Sequence, residues 1–166
     1  MIATRLATSS DAEAISALLT ANAGDRGGML LGQWPREAIE TRIASGQSIV
    51  IATGDDDRLL GALLTSEKGF DAAPPVQAML EAWPGGPDAY VYGPVCVSPD
   101  ARGLGVLEAL FARLRATFPG REVILFIRED NPRSLKAHLR LGMREVARYD
   151  FDGKVFVVLS DRPDAG

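Results

Sequence analysis

The sequence holds a single cysteine, Cys96, so no intrachain disulfide can form. It has no surplus of positive charge: the formal net charge is −4, which argues against a nucleic-acid partner, for which a basic face is expected. Its apolar runs are far too short to span a membrane, and residues 1–10 contain no apolar signal-peptide core. A cytoplasmic location is the resulting expectation. Gly-Lys-Ser and Gly-Lys-Thr are both absent, which excludes the nucleotide P-loop. Internal repeats, linkers and low-complexity stretches are absent too. What remains is a chain of 166 residues, 46% hydrophobic and 24% charged, the balance of one globular domain with a substantial core. The expected organisation is a single domain over 1–160 and a polar tail over 161–166.

The most informative stretch runs from Tyr90 to Phe118. Tyr90 to Val97 is β-branched and aromatic, as in a strand, and Ser98-Pro99-Asp100 is turn chemistry that ends it. Apolar residues at 107, 110, 111, 114 and 118 mark one face of a helix starting near Leu107. Between strand and helix lies Arg102-Gly103-Leu104-Gly105. A loop with few Cβ atoms, opening a helix whose first N–H groups lack internal partners, forms an anion site, and phosphate is the expected anion. A dinucleotide fingerprint does not fit, because its third glycine would fall on Glu108.

The rest of the chain alternates helix and strand signals. Residues 2–7 read as a strand, and Ser10 to Glu13 has capping-box spacing for a helix carrying Ile15, Leu18 and Leu19. Residues 23–32 are a glycine-rich loop. Trp34-Pro35 opens a second helix with Ala38, Ile39 and Ile43 inward. Strands over 48–53 and 59–66 flank Gly54-Asp55-Asp56-Asp57, a hairpin tip that lacks the glycine and distal glutamate of a calcium loop. No metal site is expected. A short helix over 76–83 interrupts an irregular segment, and the apolar run after Glu122 reads as a strand buried on both faces. Asn131-Pro132 caps a helix that Gly142 ends, and Asp152-Gly153 joins strands 144–151 and 154–160. Crossovers in the middle and hairpins at the ends predict an α/β fold: a mixed central sheet with helices on both faces.

Two motifs carry a family resemblance. Arg102-x-x-Gly105-x-Leu107 resembles the Arg/Gln-x-x-Gly-x-Gly/Ala signature of the GNAT superfamily of N-acetyltransferases, with Leu107 as the departure. Asn131, Ser134, His138, Gly142 and Met143 occupy the places of the family's Asn-x-x-Ala/Ser-x-x-x-Tyr-x-x-x-Gly-Phe, with histidine replacing tyrosine. The element order is that of the GNAT (acyl-CoA N-acyltransferase) fold.

The resemblance implies an acetyl-CoA-dependent enzyme that transfers acetyl directly to a primary amine. Arg102, Gly103, Leu104, Gly105, Val106 and Leu107 would hold the pyrophosphate. Val95, Cys96 and Val97 would pair with pantetheine through their main chain, beside a bulge at Gly93-Pro94. Asn131 and Ser134 would reach the cofactor from the next helix. His138 would take the tyrosine's place as general acid toward the CoA thiolate; a structural role is the alternative. A Cys96 nucleophile with His138 as base is also conceivable, though a lone cysteine in an apolar strand is usually a small buried hydrophobe. No general base can be named among Glu67, Asp88 and Tyr92. Trp34 and Trp83 read equally as acceptor-site walls or packing residues. The expected partner is a small-molecule amine, with no nucleic acid or membrane, and a homodimer is compatible with the sequence. Two further readings stay open: an acyl-CoA sensor without turnover, and a protein N-terminus or lysine as acceptor.

Overall fold

The computed structural model describes residues 1–23 and 32–162. Seven strands hydrogen-bond in the order β1-β2-β3-β4-β5-β7-β6. The described residues fall into two compact units, Met1–Thr65 with Gly93–Pro119, and Ser66–Tyr92 with Gly120 onward. The glycine-rich loop expected over 23–32 lies almost wholly outside the described residues. None of the described helices is long and apolar enough to cross a membrane.

In the first unit, β1 (Ala3–Leu6) pairs antiparallel with β2 (Ile49–Thr53), and β2 with β3 (Leu59–Glu67). All of β2 is buried, so alternation sends its side chains to two different covered faces. Ile49 and Ile51 join Ala62, Leu64 and Cys96 against Ile15 and Leu19 of α1 (Ala12–Ala21) and Ile39 of α2 (Arg36–Ala44). The opposite face carries α4 (Val106–Thr117), which packs on β1 and β2. Gly61 makes that packing possible: a Cβ there would lie 2.8 Å from Val106 Cγ1 and 3.1 Å from the Cys96 carbonyl oxygen. Each fully buried Leu or Ile contributes about 1.5–3 kcal/mol, so these two faces dominate the unit's stability.

Two details differ from the sequence-based expectation. The capping box does not form at Ser10 and Glu13. Instead Asp11 accepts the Thr8 backbone N–H at 2.8 Å and forms a two-point pair with Arg5 at 2.8 and 2.9 Å, closing a 3-10 turn over Ser9–Asp11. Helix α4 starts one residue early, and Val106, Leu110, Phe111 and Leu114 are its buried residues, with Leu107 only half-buried.

The second unit begins with α3 (Pro74–Ala82), two residues ahead of the expected start, because Pro74 and Pro75 need no N–H partner in a first turn. Strand β4 (Tyr90–Val97) starts in this unit, pairing in parallel with β5 (Val123–Arg128) at Tyr90↔Val123 and Val91↔Ile124. Antiparallel β7 (Lys154–Ser160) lies beside β5, and β6 (Arg144–Phe151) beside β7. Met79 of α3 packs with Ala89, Val91, Ile124 and Val158. Tyr92 points to the other face, where it meets α5 (Pro132–Arg140). Each unit therefore carries helices on both faces of its strands, as the sequence predicts.

Candidate active site

The residues singled out by sequence form two groups, one in each unit. The first is the strand and loop from Val95 to Leu107. Cys96 is buried toward α1 with its thiol 3.9 Å from the Leu18 carbonyl, while Val95 and Val97 are half-buried. Burial pushes the Cys96 thiol up to about 11, outweighing Arg102 and Asn22. A thiol so rarely ionised makes a poor nucleophile. Gly93 precedes it at φ +118, and the Gly93–Pro94 peptide is cis, with no N–H at Pro94 to donate.

After Val97 the chain turns through a 3-10 segment, Pro99–Ala101. Its entry is tied down by Asp100, which accepts from Ser98 Oγ at 2.6 Å and from Arg58 at 2.5 Å. Ala101 is buried and anchors the turn. The next four residues, Arg102 to Gly105, are all exposed. Gly103 and Gly105 sit at φ +81 and +86, the left-handed region that side chains with a Cβ rarely adopt. Among the described residues beyond the immediate chain neighbours, no atom lies within 4 Å of a Cβ placed on Gly103, and on Gly105 only Glu108 Oε2 comes that close, at 3.9 Å. Gly105 is the N-cap of α4, so the N–H groups of the helix's first turn open onto this bare loop. Arg102 makes no ion pair among the described residues. An exposed guanidinium, two Cβ-free positions and a helix N-terminus converge here, and the chemistry they suit is binding an anion.

The second group is on α5. Asn131 is its N-cap, accepting the Ser134 N–H at 3.4 Å. One helical turn further, His138 is 2% exposed. Its Nδ1 lies 2.8 Å from the Ser134 carbonyl oxygen, which can only accept, so Nδ1 carries the proton. Its Nε2 is then the acceptor in the neutral ring, and the Tyr92 hydroxyl donates to it at 2.9 Å. The two rings meet edge to face, centroids 5.4 Å apart. Burial lowers the pKa of His138 below its ordinary 6.5, against the Ser134 carbonyl, which raises it. Burial raises that of Tyr92. Both ring nitrogens are thus engaged, which leaves the imidazole no lone pair for a cysteine.

Of the three residues considered as a base, Glu67 instead forms a two-point pair with Arg121 at 2.8 and 3.1 Å. Arg121 also donates to the Asp88 carbonyl at 2.8 Å. Tyr92 alone touches a titratable group that the sequence motif had selected. Trp34 lies on the α1–α2 core beneath Arg42, and Trp83 lies on the α3 core.

The model of the acetyltransferase (GNAT) family matches residues 18–143. Many solved structures share the fold. An N-acetyltransferase from Staphylococcus aureus is 18% identical, with 96% of this chain and 97% of that one covered at a TM-score of 0.68. A GNAT-family acetyltransferase from Bacillus cereus is 17% identical over 96% of each chain, with a TM-score of 0.70. A phosphinothricin acetyltransferase from Sinorhizobium meliloti, solved in complex with acetyl-CoA, is 16% identical, covering 99% of this chain and 91% of that one at 0.69. No curated protein matches the sequence. The structural likenesses concern the fold, while the family match spans well over half of the chain and takes in the anion loop and His138: the chain belongs to the acetyltransferase (GNAT) family.

Proposed function

We propose that this protein transfers an acetyl group from acetyl-CoA directly to the primary amine of a small molecule, as one acetyltransferase domain over 1–160. The observation that carries the reading is the Arg102–Leu107 loop, exposed and Cβ-poor, opening onto the N-terminus of α4. It suits a pyrophosphate: Arg102 supplies a fixed positive charge, and the main chain of Gly103, Gly105, Val106 and Leu107 supplies N–H donors, while the Leu104 N–H is turned to the Ala101 carbonyl at 3.4 Å. Val95, Cys96 and Val97 offer main-chain groups to the pantetheine arm, and their N–H groups can stabilise charge on the thioester oxygen. Asn131 and Ser134 contribute from the start of α5. When bound, acetyl-CoA supplies the activated acyl group. His138 carries the proton chemistry, as the one histidine of the chain and the occupant of the family's tyrosine position. A small-molecule acceptor is in keeping with the phosphinothricin enzyme among the structural neighbours.

The test has two arms. Acetyl-CoA at 100 times its dissociation constant should stabilise the protein by about 2.7 kcal/mol, and a folded Gly105→Asp variant should lose most of that shift. Free CoA thiol should then appear when acetyl-CoA meets one or more members of a panel of amino acids, phosphinothricin, polyamines and aminoglycosides. Equal melting shifts in wild type and variant would refute the loop assignment. Binding without turnover on any amine would leave a sensor, not an enzyme.

A further inference from the structure

The contact between Tyr92 and His138 changes what the histidine can do. The Ser134 carbonyl fixes the proton on Nδ1, 2.8 Å away, and the Tyr92 hydroxyl fills the lone pair on Nε2 at 2.9 Å. A resting imidazole in this tautomer has no Nε2 proton to give. The polar groups against the ring are Tyr92 from β4 and Ser134 from α5; among the described residues no charged side chain acts on it, and its helix neighbours Lys136 and Arg140 are exposed. Nothing nearby therefore favours an imidazolium at rest.

We propose that Tyr92 and His138 form one proton-accepting relay of the acetyl transfer, in which a proton reaches or leaves Nε2 only through the Tyr92 hydroxyl. This rests on the acetyltransferase reading. On amine activation, the ammonium N–H bond breaks as an O–H bond forms at Tyr92 Oη. The proton already on Oη moves to Nε2, leaving a neutral amine and an imidazolium. When the C–S bond breaks, the transfers reverse: Oη gives a proton to the CoA sulfur, and Nε2 returns one to Oη. One proton passes from amine to thiol through the pair, the second proton that the nitrogen sheds as it becomes an amide leaves to solvent, and the pair ends as it began. The Ser134 carbonyl, already aimed at Nδ1–H, strengthens its hold as the ring becomes cationic. His138 acts first as a base in this scheme, where a tyrosine at its position could act only as an acid.

The experiment compares wild type with Tyr92→Phe, His138→Gln and the double variant. Because His138 is the only histidine, a ¹⁵N NMR spectrum of labelled protein reports its tautomer without assignment. The expected spectrum is a neutral ring protonated at Nδ1 at pH 7. Turnover is measured with acetyl-CoA and the best acceptor of the amine panel, and acetyl-CoA binding by thermal shift. Each single variant should keep its acetyl-CoA shift and lose about 10- to 10³-fold in kcat, with the double variant no worse than the singles. The wild-type acid limb should lie below pH 6.5, and it should vanish in His138→Gln.

An Nε2-protonated ring would overturn the proposal. So would single losses that multiply, or a Tyr92→Phe variant that melts lower yet keeps the wild-type kcat and pH profile. If wild type binds no acetyl-CoA or turns over no amine, the acetyltransferase reading fails and the relay with it, whatever the tautomer.

Discussion

The Trp83 indole N–H donates to the Glu122 carboxylate at 3.0 Å, tying the end of α3 to the start of β5. The same carboxylate accepts the Gly86 N–H at 2.8 Å and the Ser160 hydroxyl at 2.6 Å. Three donors, from the 83–86 segment and from the end of β7, thus share one buried charge. This explains how a segment with prolines at 84 and 87 and glycines at 85 and 86 is held in place without regular structure.

Removing that carboxylate should be costly. Glu122→Ala leaves three donors without their acceptor, and a loss of about 3 kcal/mol or more is expected. Burial alone would raise the carboxyl's pKa, but the hydrogen bonds from Ser160, Trp83 and Gly86 hold it below its ordinary 4.5. A lowered folded-state pKa means the stabilisation is complete above pH 4.5 and is lost as pH falls through the folded value. Melting curves from pH 7 to 3 should therefore fall less steeply for Glu122→Gln than for wild type.

Gly61→Ala tests how closely α4 must approach the sheet. Its Cβ would meet Val106 Cγ1 at 2.8 Å and a backbone oxygen of Cys96 at 3.1 Å, and the backbone cannot yield as a side-chain tip can. Overpacking of this kind costs about 1–3 kcal/mol. Val106 follows the Gly105 cap directly, so the displaced helix should also carry the anion loop with it. Denaturation midpoint and acetyl-CoA thermal shift should both drop. A variant that loses stability but binds acetyl-CoA as wild type does would show that the loop moves independently of the helix.

Much of this architecture is legible in the sequence because its signals are local. Asp152-Gly153 places the last hairpin to the residue, with both at positive φ, and the Tyr90–Val97 strand is bounded correctly by its own turn chemistry. Local rules fail where two partners compete. Asp11 answers to Arg5 and Thr8, so Ser10 caps nothing. The apolar period of α4 cannot tell Val106 from Leu107 as the first inward residue, because the distinction depends on where Gly105 ends the loop. Alternation along β4 puts Tyr90 and Tyr92 on one face, and helical spacing puts Ser134 and His138 on another, but nothing local says that these two faces meet. Tyr92 and His138 stand 46 residues apart, and only the fold pairs them.

Glu108 sets affinity against stability. It stands in the first turn of α4, where a negative charge suits the helix dipole by about 0.3–1 kcal/mol. Its carboxylate also lies 3.9 Å from a Cβ built on Gly105, within the loop assigned to pyrophosphate. Glu108→Gln should lower the melting temperature slightly and tighten acetyl-CoA binding by roughly 2- to 5-fold at low salt, with the gain fading as salt rises. Unchanged affinity at every salt concentration would put the phosphates elsewhere.

Cys96 supplies the last test, because it separates direct transfer from an acetyl-cysteine route. Its thiol is pushed up to about 11 by burial and packs against α1, 3.9 Å from the Leu18 carbonyl. At pH 8 a thiol of that pKa is ionised to roughly one part in 10³, against about a quarter for an ordinary cysteine near 8.5. Alkylation by iodoacetamide should therefore run at least a hundredfold slower in the native protein than after denaturation. Cys96→Ala removes a small buried side chain from the core between β4 and α1, so some loss of melting temperature is expected. Its kcat should stay within about twofold of wild type, since the proposed site uses the main chain at residue 96 and not the sulfur. Complete loss of turnover in a folded Cys96→Ala variant, together with an acetylated wild-type protein trapped by mass spectrometry, would establish the covalent route instead.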